Sequence, residues 1–330
     1  MRFSKYLGGR LLSWFLVIFI GITFMFFIPR FFPSDPVEAM ISAMLSNTTL
    51  NPEQVDSIRQ VLRVQYGLEG TLWEQYVIFL QRAVRLDFGP SLTNFPASAS
   101  GIVFRFLPYT VGLMLFAAVT SWTLGNLIGM MAGFRKNKRS SKILESIAIF
   151  IYPIPYFILA LVVQILFCFV LGWFPLTASI ITNQGIQRFF STLIRASILP
   201  AFAMILVGFG WWVISMKAMS QNTAEEEFVR FARFRGIREG RIANKYVFRN
   251  SVIPQVSGLT ISLGGVFSGT LMTEIIFSYP GVGNLMYKAI GSADYNMIMA
   301  TVSISIIAIA TATLVADLIY PFIDPRIRFR

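Results

Sequence analysis

The 330-residue chain is 55% hydrophobic and 13% charged, with 28 Lys and Arg against 16 Asp and Glu, and its mean hydropathy is +0.65. These proportions exclude an ordinary soluble domain and indicate a polytopic membrane protein. Histidine is absent and Cys168 is the single cysteine, so an intrachain disulfide, a His/Cys metal site and Ser/His or Cys/His catalysis are excluded; Cys168 itself reads as a small buried or lipid-facing hydrophobe.

A net charge of +12 would suggest a nucleic-acid partner in a soluble protein, but here its distribution matters more than its sum. Bases gather at Arg2, Lys5 and Arg10; at Arg135, Lys136, Lys138, Arg139 and Lys142; between Lys217 and Arg249; and at Arg326, Arg328 and Arg330. Clusters at alternate ends of apolar segments are the positive-inside pattern, which places both termini in the cytoplasm and makes nucleic acid an unlikely partner.

In chain order, residues 11–28 form an uncharged apolar run long enough to cross a bilayer, and no small-residue cleavage site follows, so a retained first span is expected. Residues 31–105 change to a soluble composition. Asn51, Pro52 and Glu53 make a helix start there, with Val55, Ile58, Val61 and Leu62 on one face. A second span at 107–134 carries Gly112, Gly125, Gly129 and Gly133, a spacing that permits close helix approach. A third at 143–171 should be kinked by Pro153 and Pro155, and it ends in Trp173 and Phe174 at the interface. A fourth span is expected at 198–216, a glycine-rich fifth at 256–277, and a sixth at 297–319.

Between the fourth and fifth spans lies the long polar stretch 222–254, with eight bases between Lys217 and Arg249. Thr223 and Glu226 have the spacing of a capping box, and Glu225, Glu226 and Glu227 complement the positive end of a helix starting there. Gly236 is a natural stop. Phe228, Phe231, Ala232 and Arg235 recur at helical spacing, whereas Arg230 and Arg233 lie on another face. A topology signal needs only charge, so aromatics on such a short helix point to a groove in a partner.

Ionisable groups within the spans are few: Glu274 near the outer end of the fifth and Asp317 near the inner end of the sixth. Two facing aspartates for an intramembrane protease are lacking, as are paired mid-membrane acids for an ion-coupled carrier working alone. No GxxxxGK[ST] loop occurs, so ATP acts only through another subunit.

The strings EEFVRFARFRG and RNSVIP resemble the cytoplasmic EAA loop of ABC importer permeases in the dipeptide, oligopeptide and nickel importer family, where (D/E)YVRTARAKG is followed by RNALLP. Glu227, Val229, Arg230, Ala232, Arg233, Gly236, Arg249, Asn250 and Pro254 match; Phe231 and Phe234 replace smaller residues, and Arg235 replaces lysine. QYGLEGTLWEQYVIFLQRAVRLDFGPSL is similar to the external segment of the B-type permease, with Leu86 where a glycine usually precedes Asp87. FLPYT, GWFP, GGVFSGTLMTEIIFSYPGVGNL, DYNMI and DLIYPFIDPRIR follow in the family's order.

The resemblance implies an all-α, type I importer permease fold of about six spans in a prokaryotic cytoplasmic membrane. It divides the chain into an N-terminus with the first helix (1–30), an external subdomain (31–105) and a five-helix core (106–330) with its coupling loop at 222–254. It further implies a second permease subunit, two ATPase subunits that bind ATP and Mg, and an extracytoplasmic solute-binding protein. No cofactor, catalytic residue or metal belongs to this chain. Coupling to the ATPase is assigned to Glu227, Phe228, Arg230, Phe231, Ala232, Arg233, Phe234, Arg235 and Gly236. The translocation path and gate are assigned to Gly265, Gly269, Glu274, Pro280, Gly281 and Gly283. Peptides rank first as substrate and oligosaccharides second, with a solitary carrier more distant.

Overall fold

The computed structural model describes residues 2–27, 36–45, 51–65, 67–134, 139–177, 185–265 and 270–323. Among them regular structure is helical, apart from one isolated bridge between Pro90 and Ser98. The basic residues Arg135, Lys136 and Lys138, the C-terminal cluster and Gly269 lie outside the described residues.

Among the described residues four helices are long and apolar enough to cross a membrane, at Tyr6–Phe27, Ala99–Phe134, Ile186–Glu225 and Tyr295–Ile319. They belong to α1 (Arg2–Phe27), α5 (Ala99–Phe134), α8 (Ile186–Glu225) and α14 (Tyr295–Ile323). The expected third span is more than kinked. Its two legs, in α6 (Arg139–Ile151) and α7 (Tyr156–Gln164, continuing as a π-helical turn over Ile165–Val170), are bent by 104°. Pro153 and Pro155 sit at the break, where a residue before proline is pushed out of helical conformation and each ring removes a donor. The fourth span is longer than its apolar core suggests: 40 helical residues measure about 60 Å, roughly twice the hydrocarbon thickness. Of the fifth, the described residues form α11 (Arg249–Gly265) and α12 (Thr270–Ile276).

By contact density the chain forms two compact units. One consists of Met1–Leu7, Val111–Tyr279 and Ala312–Arg330; the other of Gly8–Thr110 and Pro280–Thr311. In the first, three of the α5 glycines meet α8: a Cβ at Gly129 would lie 2.6 Å from the Val213 carbonyl oxygen, and Cβ atoms at Gly125 and Gly133 would collide with Trp212 and Ser220. This is close backbone approach through small residues. Gly112 has open space instead.

The second unit holds α2 (Pro36–Leu45), α3 (Pro52–Gln65), α4 (Leu72–Val84) and α13 (Val282–Gly291) with parts of α1, α5 and α14. Val37 and Ile41 of α2 pack on Leu62, Val55 and Ile58 of α3. Val61, expected on that same face, is 59% exposed; at about 100° per residue, adjacent positions 61 and 62 cannot both point inward on a narrow stripe. Arg59 bridges to Glu38 at 2.6 Å and also to Asp56, and that guanidinium holds the Glu38 carboxyl below its ordinary value.

Candidate functional site

The helix in the basic stretch, α9 (Glu227–Phe234), forms by a route different from the expected capping box. Helix α8 runs on through Thr223 to Glu225, and the Thr223 hydroxyl donates to the Met219 carbonyl at 2.9 Å within α8 while accepting from Ser251 at 3.0 Å. The Glu226 N–H reaches the Thr223 carbonyl at 3.2 Å rather than its hydroxyl, so the capping box does not form. Glu226 breaks the chain with an extended conformation (φ −64°, ψ 147°) and makes no side-chain cap, and its carbonyl accepts the first bonds of α9 from Val229 and Arg230. Glu227 in the first turn complements the positive helix end. The helix thus spans Glu227–Phe234 rather than 225–235.

Its end is the expected one. Gly236 adopts φ 71°, its N–H reaches the Arg233 carbonyl at 2.9 Å, and the Ile237 N–H reaches that of Ala232 at 3.2 Å. This pair of bonds is the Schellman motif, which places a left-handed residue just past the helix.

Below α9 lies an apolar cluster of Val229, Ala232, Met130, Met216, Ile242 and Val247, contributed by α5, α8, α9 and the π-helical stretch Ile242–Phe248 that follows α10 (Glu239–Arg241). Val229 and Ala232 face this foundation. Phe228, Phe231 and Phe234 do not: they are 42%, 65% and 86% exposed. Of the expected stripe, Phe228, Phe231 and Arg235 are outward and Ala232 alone departs from it. Ala232 joins the inward face, and the outward face runs through Phe231 to Phe234. Arg233 is tied down, its Nε donating to Glu239 at 3.2 Å and its guanidinium lying 6.0 Å from the centroid of the Phe134 ring. Glu227, Arg230 and Arg235 are exposed.

A rigid base thus presents three bare phenylalanine rings among charges. Isolated exposed hydrophobes are ordinary, but a contiguous set rimmed by charge marks an interaction site.

The residues assigned to the translocation path are placed separately. Gly265 closes α11. Glu274 lies in α12 and is fully buried. Its helix is held by polar bonds in an apolar setting: Tyr156 and Thr273 hydroxyls lie 2.6 Å apart, Gln164 Nε2 donates to the Ile276 carbonyl at 2.7 Å, and the Tyr279 and Ser197 hydroxyls lie 3.0 Å apart. In the other unit, Gly281 is the N-cap of α13 in an extended conformation. Gly283 falls inside α13 rather than in the turn expected to contain it, which leaves Pro280 and Gly281 as the turn itself.

The sequence reading missed a second set of polar residues, in the membrane part of the first unit. Trp122 Nε1 donates to the Gln255 carbonyl at 2.9 Å and Gln255 Nε2 to Ser215 at 2.8 Å, while Asn126 is 1% exposed. Lys217 and Glu145 form an ion pair between α8 and α6. The available signal was the presence of polar residues inside apolar runs, which charge counting alone passes over.

Residues 125–329 match the family described as binding-protein-dependent transport system inner membrane component. The chain belongs to this family. It is a multi-pass membrane permease subunit. Over nearly full length it is also similar to curated relatives. It is 28% identical over 326 residues to the dipeptide transport system permease protein of Lactococcus lactis subsp. cremoris, covering 98% of this chain and 99% of the relative. Identity to the oligopeptide transport system permease protein of Bacillus subtilis is 27% over 313 residues, covering 94% and 96%. With the glutathione transport system permease protein of Shigella boydii it is 26% over 326 residues, covering 99% of each.

Proposed function

We propose that this permease is one of two non-identical membrane subunits of an ATP-driven importer, and that it carries peptides released by an extracytoplasmic solute-binding protein. The three relatives above are named for dipeptide, oligopeptide and glutathione transport, which supports peptide over oligosaccharide as cargo. Both termini and α9 face the cytoplasm, in keeping with the basic clusters.

The observation that carries the coupling role is the exposed ring set on α9 above a buried foundation. Phe228, Phe231 and Phe234 enter a cleft in an ATPase subunit, with Glu227, Arg230 and Arg235 as the polar rim. Ala232, Arg233 and Gly236 act from beneath by fixing the position of the helix. ATP and Mg are held by the two ATPase subunits and none by this chain. Closure of the ATPase pair moves α9 and, through its apolar base, α5 and α8. Such a ligand-driven switch requires different contacts in its two states, and a helix in a closing cleft supplies them. Glu274 lines the passage from α12, and the turn at Pro280 and Gly281 leading into Gly283 serves as a gate element.

The test is vanadate-sensitive ATP hydrolysis in vesicles holding this chain with the permease and ATPases encoded beside it. Peptide-loaded binding protein is expected to stimulate hydrolysis and oligosaccharide-loaded protein is not. Equal hydrolysis in all conditions, or failure of any ATPase to assemble with the chain, would contradict the proposal.

A further inference from the structure

Helix α4 has three faces instead of two. Tyr76, Phe79 and Ala83 are buried in a cluster with Phe26 of α1, Val103 of α5 and Met297 of α14. Glu74, Gln81 and Arg85 lie about 140–180° around the helix from Tyr76 on a polar face, given 3.6 residues per turn, with the exposed Ile78 at its border. Between the two runs a third stripe, Trp73, Val77, Leu80 and Val84, all apolar: its ends are bare, with Trp73 71% and Val84 87% exposed, while Val77 is half-buried and Leu80 packs against the buried cluster. A helix that only covered protein would need the first two faces and not the third.

The position of α4 identifies what the third face meets. Its buried side rests on the last turns of α1 and the first turns of α5 and α14, which is the level at which three membrane-crossing helices end. The hydroxyls of Tyr76 and Thr23 lie 2.8 Å apart, tying α4 to the last turn but one of α1. A run of rings then leads outward from the end of that span: Phe27 lies 6.0 Å from Tyr76, which lies 5.8 Å from Trp73. Tryptophan and tyrosine collect where hydrocarbon gives way to headgroups.

We infer that α4 is an interfacial helix whose Trp73–Val84 stripe lies in the headgroup–acyl boundary of the leaflet at which α1 ends. The bilayer is its partner because Trp73 is joined by ring contacts through Tyr76 to Phe27, at the end of the exposed apolar surface of the membrane-length helix α1 that carries Phe15, Phe19 and Phe24. Exposed apolar side chains beside a charged face are how helices lie in that boundary. The inference rests on α1, α5 and α14 crossing the membrane, and not on the cargo or the ATPase.

The test is nitroxide scanning of the intact transporter in phosphatidylethanolamine/phosphatidylglycerol vesicles, in a Cys168→Ser background, at Val84→Cys, Trp73→Cys and Gln81→Cys, with Val17→Cys on α1 as the lipid reference. Collision with oxygen is expected to exceed collision with an aqueous nickel chelate several-fold at 73 and 84, approaching position 17, and the ratio is expected to invert at 81. Val84 makes little packing, so that variant folds even where Trp73→Cys does not. Positions 73 and 84 as open to the chelate as 81 would overturn the inference, and so would their protection from both reagents, which would mean that protein covers the stripe.

Discussion

Truncating Phe234 separates a docking side chain from a structural one. The ring is 86% exposed, so Phe234→Ala removes almost no intramolecular packing and is expected to change stability by no more than about 0.5 kcal/mol. If the ring is buried in an ATPase cleft, its transfer from water contributes about 1.5–3 kcal/mol. At about 1.4 kcal/mol per decade, loss of that contact weakens the permease–ATPase complex roughly ten- to a hundredfold. Val229, in the first turn of the same helix and 0% exposed, supplies the contrast: Val229→Ala takes about two methylene equivalents from the foundation and is expected to lower stability by about 2 kcal/mol. The assay pairs ATPase binding to nanodisc-embedded permease with thermal unfolding of the same samples. Wild-type binding by Phe234→Ala, or a loss of stability equal to that of Val229→Ala, refutes the assignment of outward and inward faces.

Gly236→Ala is expected to strain the end of α9 by about 1–2 kcal/mol, because the left-handed φ of 71° is retained by the Schellman bonds. A Cβ there meets open space, so Gly236→Asn, which tolerates that conformation, should recover much of the ATPase binding lost in Gly236→Ala. Gly129→Leu drives a side chain into Val213 and Met216 and should abolish accumulation of folded permease in the membrane, measured by fluorescence-detected size exclusion. Leu86 has φ 55° in a second Schellman turn, closed by Asp87 N–H to the Arg82 carbonyl at 2.9 Å. Leu86→Gly relieves about 1–2 kcal/mol of strain against about 0.5–1 kcal/mol of added chain entropy, so an unchanged or slightly raised melting temperature is expected and a clear fall would contradict it. The Thr71 backbone and side chain hold the Glu74 carboxyl below its ordinary value through the capping box at the start of α4. A depressed folded-state pKa contributes stability that is present above the ordinary carboxylate pKa and is lost as pH falls through the depressed one. Amide exchange in the first turn of α4, corrected for its intrinsic rate, should therefore accelerate across that acid window, and Glu74→Gln should remove the dependence.

The first, second, fourth and sixth spans were legible because apolar runs of bilayer length have few alternatives, and the stop at Gly236 was legible because one residue type suits a left-handed position. The start of α9 was not: Thr223 and Glu226 have capping-box spacing, but the spacing does not reveal that α8 continues through Thr223 and engages its hydroxyl. The inward placement of Ala232 on α9 was not legible for a related reason. Phe228, Phe231 and Ala232 share a stripe on an isolated helix, and only Met130, Met216, Ile242 and Val247, distant in sequence, establish that Val229 and Ala232 face inward. Pro153 and Pro155 announced a disturbance but not its 104° size, which depends on the packing of each leg. Leu86 drew notice as a departure from the family's glycine, and its positive φ supplies the physical reason glycine suits the position.

Site-directed cross-linking is the most direct test of coupling through α9. With Cys168 replaced by Ser, cysteines placed singly at Phe231, Phe234 and Val229 would be treated with a short bifunctional reagent in the assembled transporter. Adducts with the ATPase are expected from 231 and 234, with yields that change when ATP and vanadate trap the closed state, and none is expected from the buried 229. Assembled ATPase that yields no adduct from either outward position would contradict the claim that this helix carries the coupling.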